Sequence, residues 1–431
     1  MQQANGKIQI EKDFLDDLSG RVKSLTQMKE AVSSSLGEDT STVLKTILAG
    51  AVILGCSDLH LEAQEGQAKL RVRLDGSLHD ALIFEPSKQA SLISRIKLLS
   101  GVKLNVEDKP QDGRFSIEMP DEKIEIRAST LPTQYGETAV LRVLNPKSLI
   151  NIEDLGLRKD LYEIFSKEIE KPNGMIIVTG PTGSGKTTTL YAFLKKIRSP
   201  ETKIITIEDP IEYHLDDVSQ TQVAPEKGYN FASGLKSIVR QDPDVILVGE
   251  IRDLETTDIA LQAALTGHLV FSTLHTNDAA GTIARLTSLG AKSYNIGPAI
   301  NLIIAQRLIR KVCKECGQPR PATPEEEKKM QEALADAPAD LLKGYSGLSN
   351  FVVYDAKGCE HCNFTGYKGR IGIYEAFRRD SDIENFIATN PTISDLAKKA
   401  KEKGMVPMKT DGFLKVLERL TTIDEVEKAV G

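Results

Sequence analysis

Apolar and polar positions divide the chain into three regions of different rhythm. From Thr40 to about Asn145 short alternating runs predict strands at Leu59–Glu62, Lys69–Leu74, Ser77–Phe84, Phe115–Met119, Lys123–Ala128 and Thr138–Leu144. Asp75-Gly76 is a hairpin turn signal between two of them. Helical spacing of Leu92, Ile93, Ile96 and Leu99 predicts a helix over Ser87–Ser100, so this region reads as an α+β unit. From Gly174 the rhythm changes to continuous apolar runs at Met175–Thr179, Ile204–Ile207, Val245–Val248 and Leu269–Thr273, separated by helical stretches. Parallel strands buried on both faces read this way, and an α/β core is expected. A third region begins near Cys313, with a charged helix at Glu325–Leu334 and amphipathic helices over Ile393–Val430. The polar segment Gln2–Asp39 reads as helix plus linker, its flexible end at Ser33–Asp39. The expected division is 1–39, 40–145, 146–312, 313–375 (the cysteine module) and 376–431 (helical).

Composition narrows the function classes. With 431 residues, 40% apolar and 27% charged, the chain has material for two or three cored domains, and disorder is excluded as the main state. Ile47–Gly55 is too short to span a bilayer, and polar Gln2, Gln3 and Asn5 after Met1 do not open a secretory signal. A formal charge of −6 argues against a nucleic-acid coat but leaves room for a local basic patch.

Gly180-Pro181-Thr182-Gly183-Ser184-Gly185-Lys186-Thr187 fits the phosphate-binding pattern G-x-x-x-x-G-K-[ST], after an apolar strand and before the helix-like run Thr188–Ile197. Its glycines let backbone N–H groups wrap phosphates at a helix N-terminus. Lys186 is expected on the β/γ-phosphates of ATP and the Thr187 hydroxyl on Mg²⁺, with Thr188 completing the loop. Three carboxylates, Glu208, Asp209 and Glu212, crowd the end of the next strand, where they position water and Mg²⁺ or belong to a capped, solvated loop. After Val245–Val248 comes Gly249-Glu250, with glycine where an aspartate usually holds Mg²⁺. Gly249 leaves room for a γ-phosphate, and Glu250 reaches Mg²⁺ through water, polarises the attacking water, or is strand-end charge. His268 and His275 bracket the last apolar strand, with His275 and Thr276 at its ligand-facing end. A structural role for His268 is as good a reading as a functional one.

Cys313-x-x-Cys316 and Cys359-x-x-Cys362 each present two thiolates. Four thiolates make a closed tetrahedral Zn²⁺ site without an open catalytic position. Disulfides or a reactive dithiol compete, and a cytosolic compartment disfavours both. His361 is a bystander and Cys56 a buried thiol on this reading.

In this order, the phosphate loop, Ile204–Tyr213, the Glu250 strand and Thr266–Asp278 resemble the secretion-ATPase superfamily, specifically the ATPases of type II secretion and type IV pilus assembly. Cys56-Ser57-Asp58-Leu59-His60, Arg71–Gly76, Pro110–Arg114, Ser129–Pro132 and Gln306–Arg310 extend the match from about Thr40 to the C-terminus. The resemblance implies a PAS-like domain beside a RecA-like P-loop core, a hexameric ring, and ATP bound between the two domains. It implies that arginines of the smaller domain, by position Arg127 and Arg142 with Arg114 behind them, close over the nucleotide; surface ion pairing is the other reading. Arg307 and Arg310 serve likewise or dock the C-terminal region. Glu250, Glu212, Glu208 and His275 are the expected catalytic groups. Retraction ATPases of the family typically lack the cysteine pairs, so assembly or secretion is expected over retraction or type IV secretion. A nucleotide-gated, non-catalytic assembly protein is the rival of another class. The expected setting is cytoplasmic, peripheral at the inner membrane through a platform protein, with no nucleic acid and only indirect membrane contact. The short segment before the match leaves no expectation of a cyclic di-GMP site, and the acidic approach Glu107-Asp108-Lys109, basic in the family, implies a weaker or different ring contact.

Overall fold

A computed structural model describes residues 6–345 and 351–431. Met1, Gln2, Gln3 and Asn5, read above for a leader, lie outside the described residues. The chain divides into two compact units: residues 1–148 with 313–316 and 357–368, and residues 149–312 with 317–356 and 369–431.

The first unit carries a seven-stranded sheet built from β1 (Gly6–Gln9), β2 (Asp58–Gln64), β3 (Gln67–Leu74), β4 (Ser77–Phe84), β5 (Gln111–Glu118), β6 (Lys123–Thr133) and β7 (Gly136–Leu144). Their order is β1-β5-β6-β7-β2-β3-β4, antiparallel except that β1 runs parallel to β5. Asp75 and Gly76 both take positive φ, 47° and 84°, as the predicted hairpin demands. The alternation in β3 sends Ala68, Leu70, Val72 and Leu74 into the core and Lys69, Arg71 and Arg73 to the other face.

The N-terminal segment departs from the linker expectation. Helices Lys12–Arg21 and Leu25–Ser35 and strand β1 bury Ile8, Ile10, Leu18, Val22, Met28 and Val32 in this unit's core. Leu18/Val22 and Met28/Val32 are i,i+4 pairs, so a sparse apolar stripe is enough to seat each helix end. Ser33–Ser35 are the last turn of a helix, and Asp39 caps helix Thr40–Leu54 by accepting from the Ser41 and Thr42 N–H groups. That helix contains the apolar stretch Ile47–Leu54. Among the described residues no helix is long and apolar enough to cross a membrane.

The second unit is organised by β8 (Gly174–Thr179), β9 (Ile204–Glu208), β10 (Val218–Gln222), β11 (Val245–Val248), β12 (Leu269–Leu274), β13 (Ile300–Val312), β14 (Gly317–Pro321), β15 (Val352–Ala356) and β16 (Tyr367–Arg378). The main sheet has the order β10-β9-β11-β12-β8-β13-β16, parallel from β10 through β13. β14 and β15 pair apart from it. Along β8, Met175 and Ile177 enter one core and Ile176 and Val178 the other, which is why its sequence is apolar throughout. β8 lies between β12 and β13, while β9 is three places away. The loop after β8 therefore opens at a switch in strand order, where such sheets bind ligands.

Candidate functional site

The loop after β8 leads directly into helix Lys186–Ile197. Gly180 sits at φ +147°, and a Cβ there would stand 2.6 Å from both Ser184 Oγ and the Gln306 carbonyl oxygen, so only glycine lets the loop close. Ser184 Oγ is buried and has no hydrogen-bond partner. An orphaned hydroxyl in this glycine-rich loop fits a donor to a phosphate oxygen. Lys186 Nζ donates to the Gly180 and Pro181 carbonyls, at 2.9 and 3.1 Å. Burial lowers its pKa, opposed by the charges of Glu250 and Glu212 and reinforced by Arg307. Those groups therefore share one electrostatic neighbourhood with the loop lysine.

Beyond β11 the backbone stays knitted to both neighbours. The Gly249 N–H donates to Ile207 O, and the Gly249 carbonyl accepts from Thr273 Oγ1. A Cβ at Gly249 would stand 3.2 Å from Ile207 O and 3.3 Å from Glu208 Cα, so glycine here serves the close approach of β9. This delivers Glu250 to the strand ends, where it pairs with Arg252 at 2.6 Å and stands 3.7 Å from His275 Nε2. Burial and the Lys186 charge hold the His275 pKa below the ordinary histidine range. Thr276 is tied to the end of β8: its N–H donates to Thr179 Oγ1 at 2.9 Å, and the two hydroxyl oxygens are 2.7 Å apart.

Lys186, Glu212, Glu250, His275 and Thr276 thus collect at one edge. Glu208 faces elsewhere. Buried, it accepts from Tyr191, from Thr206 at 2.5 Å and from Gln220 at 3.2 Å, and burial raises its pKa. His268 lies at the opposite end of β12 from His275, with Nδ1 3.1 Å from the Ala263 carbonyl. Of the arginines singled out from sequence, Arg114, Arg127 and Arg142 lie in the other unit and Arg307 and Arg310 on β13 of this one. Arg114, Arg127 and Arg142 stand directly opposite one another across β5, β6 and β7, and Arg142 pairs with Asp58 at 3.1 Å. Arg310 instead pairs with Glu425 of helix Ile423–Val430.

One site residue carried no chemical signal in the sequence. Gln306 on β13 is fully buried; it donates to the Ser184 carbonyl at 2.7 Å and accepts from Thr189 Oγ1 at 2.8 Å. It braces the phosphate loop from behind.

The four cysteine sulfurs lie within 4.8 Å of one another. Three separations are 3.9, 3.7 and 3.8 Å. A tetrahedron with Zn–S of ~2.3 Å has edges of ~3.8 Å, so the set fits zinc. The Cys359 and Gly366 N–H groups donate to Cys362 Sγ, and against burial they bring this thiol down to about 7. Asn363 of the same knuckle accepts from the Leu25 N–H at 2.5 Å and so caps helix Leu25–Ser35 within the first unit.

Comparison with known proteins shows the family. The family described as type II/IV secretion system protein matches residues 37–428. The chain belongs to that family. It is 40% identical over 404 residues to the type IV pilus assembly ATPase PilB of Thermus thermophilus, covering 93% of this chain and 44% of that protein. It is 39% identical over 423 residues to the type II secretion system ATPase E of Vibrio cholerae, covering 95% of this chain and 79% of that one. The chain thus spans less than half of the Thermus relative and about four fifths of the Vibrio one. Its fold matches the pilus retraction motor PilT with bound ADP at a TM-score of 0.60 and 28% identity, over 89% of this chain and 95% of that one. The chain is a secretion-family ATPase homologue with an α/β fold, a four-cysteine cluster and C-terminal helices.

Proposed function

We propose that this chain hydrolyses ATP at the Lys186 loop and uses the cycle to drive pilin or pseudopilin assembly in type IV pilus biogenesis or type II secretion. The observation that carries the reading is the meeting of Lys186, Glu212, Glu250, His275 and Thr276 at the ligand-facing end of one parallel sheet.

Lys186 exchanges its two carbonyl partners for phosphate oxygens, and the Ser184 hydroxyl gains the acceptor it lacks. Glu250, with Glu212 beside it, orients a water and takes its proton. The water oxygen bonds to the γ-phosphorus as the bridging oxygen leaves with ADP. His275, uncharged at neutral pH, and Thr276 register the γ-phosphate. Thr187 would hold Mg²⁺, which would neutralise charge on the phosphates when bound. Arg127 and Arg142 stabilise the charge that develops on the transferring group. Their support is the in-register row Arg114–Arg127–Arg142, which sets three guanidinium-bearing positions side by side, with Arg142 held by Asp58.

Six chains form a ring at the cytoplasmic face of the inner membrane. A hinge near residues 145–155 converts hydrolysis into movement of a membrane platform protein. The four-cysteine cluster holds zinc as a structural ion and favours assembly over retraction. The test is ATP turnover by the purified chain, lost in Lys186→Ala, with ATP-dependent capture of the platform protein. Turnover unchanged in Lys186→Ala would refute the site assignment. Stimulation by DNA would refute the cargo.

A further inference from the structure

The loop that follows β12 is fastened on more than one side. Thr276 is bonded to Thr179 at the end of β8. Arg307 Nη2 on β13 donates to the Asn277 carbonyl at 2.8 Å, and Asp278 caps the next helix by accepting from the Gly281 N–H. The fourth fastening comes from Glu375 on β16. Its Oε1 accepts from the Ala279 N–H at 2.8 Å, and its Oε2 accepts from the Met408 N–H at 3.2 Å.

Ala279 is the N-cap of helix Ala280–Ser288, and Met408 opens helix Met408–Leu417. Both N–H groups belong to the set that a helix leaves without internal partners. One carboxylate therefore closes two helix N-termini, where the helix dipoles favour its charge. Burial pushes the Glu375 pKa up, and the two N–H donors draw it back. A surface carboxylate would cap a single helix at no desolvation cost. Burying one to serve two segments makes sense where those segments must move together.

A cavity of about 580 Å³ adjoins this carboxylate, lined by Asp278 and Ala280 from the loop side and by Ile393, Met405 and Pro407 from the C-terminal side. Beside that space Glu375 is the polar link between loop and C-terminal helix.

We propose that Glu375 is a positioning residue: it sets the loop bearing His275 and Thr276 and couples that loop to the C-terminal helix beginning at Met408. The inference rests on the nucleotide reading above and extends it to the C-terminal region. Nucleotide held at Lys186 shifts Thr276, Thr276 carries Ala279, and Glu375 passes the shift to Met408.

The test is hydrogen exchange on the full chain with and without a β,γ-imido ATP analogue, joined to steady-state kinetics. In the wild-type protein, peptides spanning 180–190, 275–283 and 405–412 slow together on adding the analogue. In Glu375→Gln one oxygen becomes an NH₂ facing an N–H donor. Peptide 180–190 still responds, 405–412 loses its response, and kcat falls about tenfold while KM stays within about twofold. A purely structural glutamate would lower the melting temperature and leave this split unmoved. A response at 180–190 without one at 405–412 in wild type overturns this inference alone, and needs no variant to fold. A retained 405–412 response or unchanged kcat in Glu375→Gln also overturns it. No response at 180–190 overturns the nucleotide reading, and this inference with it.

Discussion

Gln306→Ala is the sharpest probe of how the phosphate loop is held. The side chain is 1% exposed, and truncation removes the donor to Ser184 O and the acceptor from Thr189 Oγ1, at 2.7 and 2.8 Å. Each buried partner left behind costs about 1–3 kcal/mol. The small cavity adds roughly 1 kcal/mol. A stability loss of about 3–7 kcal/mol follows for the second unit, read as a lowered thermal or urea midpoint. Only the Ser184 bond acts on the loop itself, so about 1.4–2.8 kcal/mol reaches nucleotide binding, a Kd weaker by about 10–100-fold. Titration of a fluorescent ATP analogue at a temperature where the variant is folded measures this. Gln306→Met separates bonding from packing: it refills most of the cavity but makes neither hydrogen bond. It should bind nucleotide no better than the alanine variant while losing less stability. Wild-type affinity in a destabilised Gln306→Ala protein would refute the brace and leave Gln306 a packing residue.

Other outcomes follow from the same geometry. Glu250→Gln keeps the volume but removes the base, so analogue binding is retained while kcat drops by about 10²–10⁴; equal loss of binding and turnover would point to folding instead. Metal analysis finds one zinc per chain, and chelation or Cys359→Ser lowers the melting temperature and frees thiols to alkylation; a metal-free chain of unchanged stability would count against the zinc. Glu326 is held down at about 2, first by its bonds to Arg320 and against burial. Its folded value lies below its unfolded one, so its contribution is full above about pH 4.5 and is lost as pH falls toward 2. With its partial exposure discounted this is on the order of 1–2 kcal/mol, and Glu326→Gln should flatten the wild-type decline in stability over that window.

How much of this was legible depends on the range of the interaction. β8 and its loop could be read because both signals are local: an apolar run and a contiguous glycine pattern. The Asp75-Gly76 hairpin was legible for the same reason. Gln306 falls in the stretch Gln306–Arg310 that carries the resemblance, but its bracing role was not legible, because its partner Thr189 lies 117 residues away. The same holds for Glu375, whose neighbours on β16 suggest only a buried strand. Glu208 was legible as a carboxylate at a strand end, but its direction depends on Tyr191 from another helix and Gln220 from another strand. The N-terminal segment misled because its composition is polar, and composition does not reveal that Ile8, Leu18, Val22, Met28 and Val32 fall on inward faces. The buried set Arg158, Asp411 and Lys415 likewise escaped notice: Asp411 accepts from Arg158 at 2.6 Å and from Lys415 at 2.9 Å, joining residues 253 positions apart.

Charge balance at the sheet edge explains why the second unit should need help from outside itself. Glu208 is held by three donors, and the carboxylates whose charges act on Lys186 are Glu250 and Glu212. Against them stand Lys186, Arg252 and Arg307. Arg307 already spends donors on Asn277 and Gln306, and Arg252 is occupied by Glu250. Lys186 in turn donates to the Gly180 and Pro181 carbonyls, which it would leave to face a triphosphate, and that ligand would bring several negative charges into a half-buried edge. Uncompensated charge of that kind is costly where water is scarce. Positive charge must then arrive with the nucleotide, as Mg²⁺, or from groups beyond this edge. A site with enough resident charge would bind ATP tightly whether or not anything else moved. This one, short of cations, gives the nucleotide a reason to recruit them, and recruitment is how cleavage of a phosphate can be made to perform work.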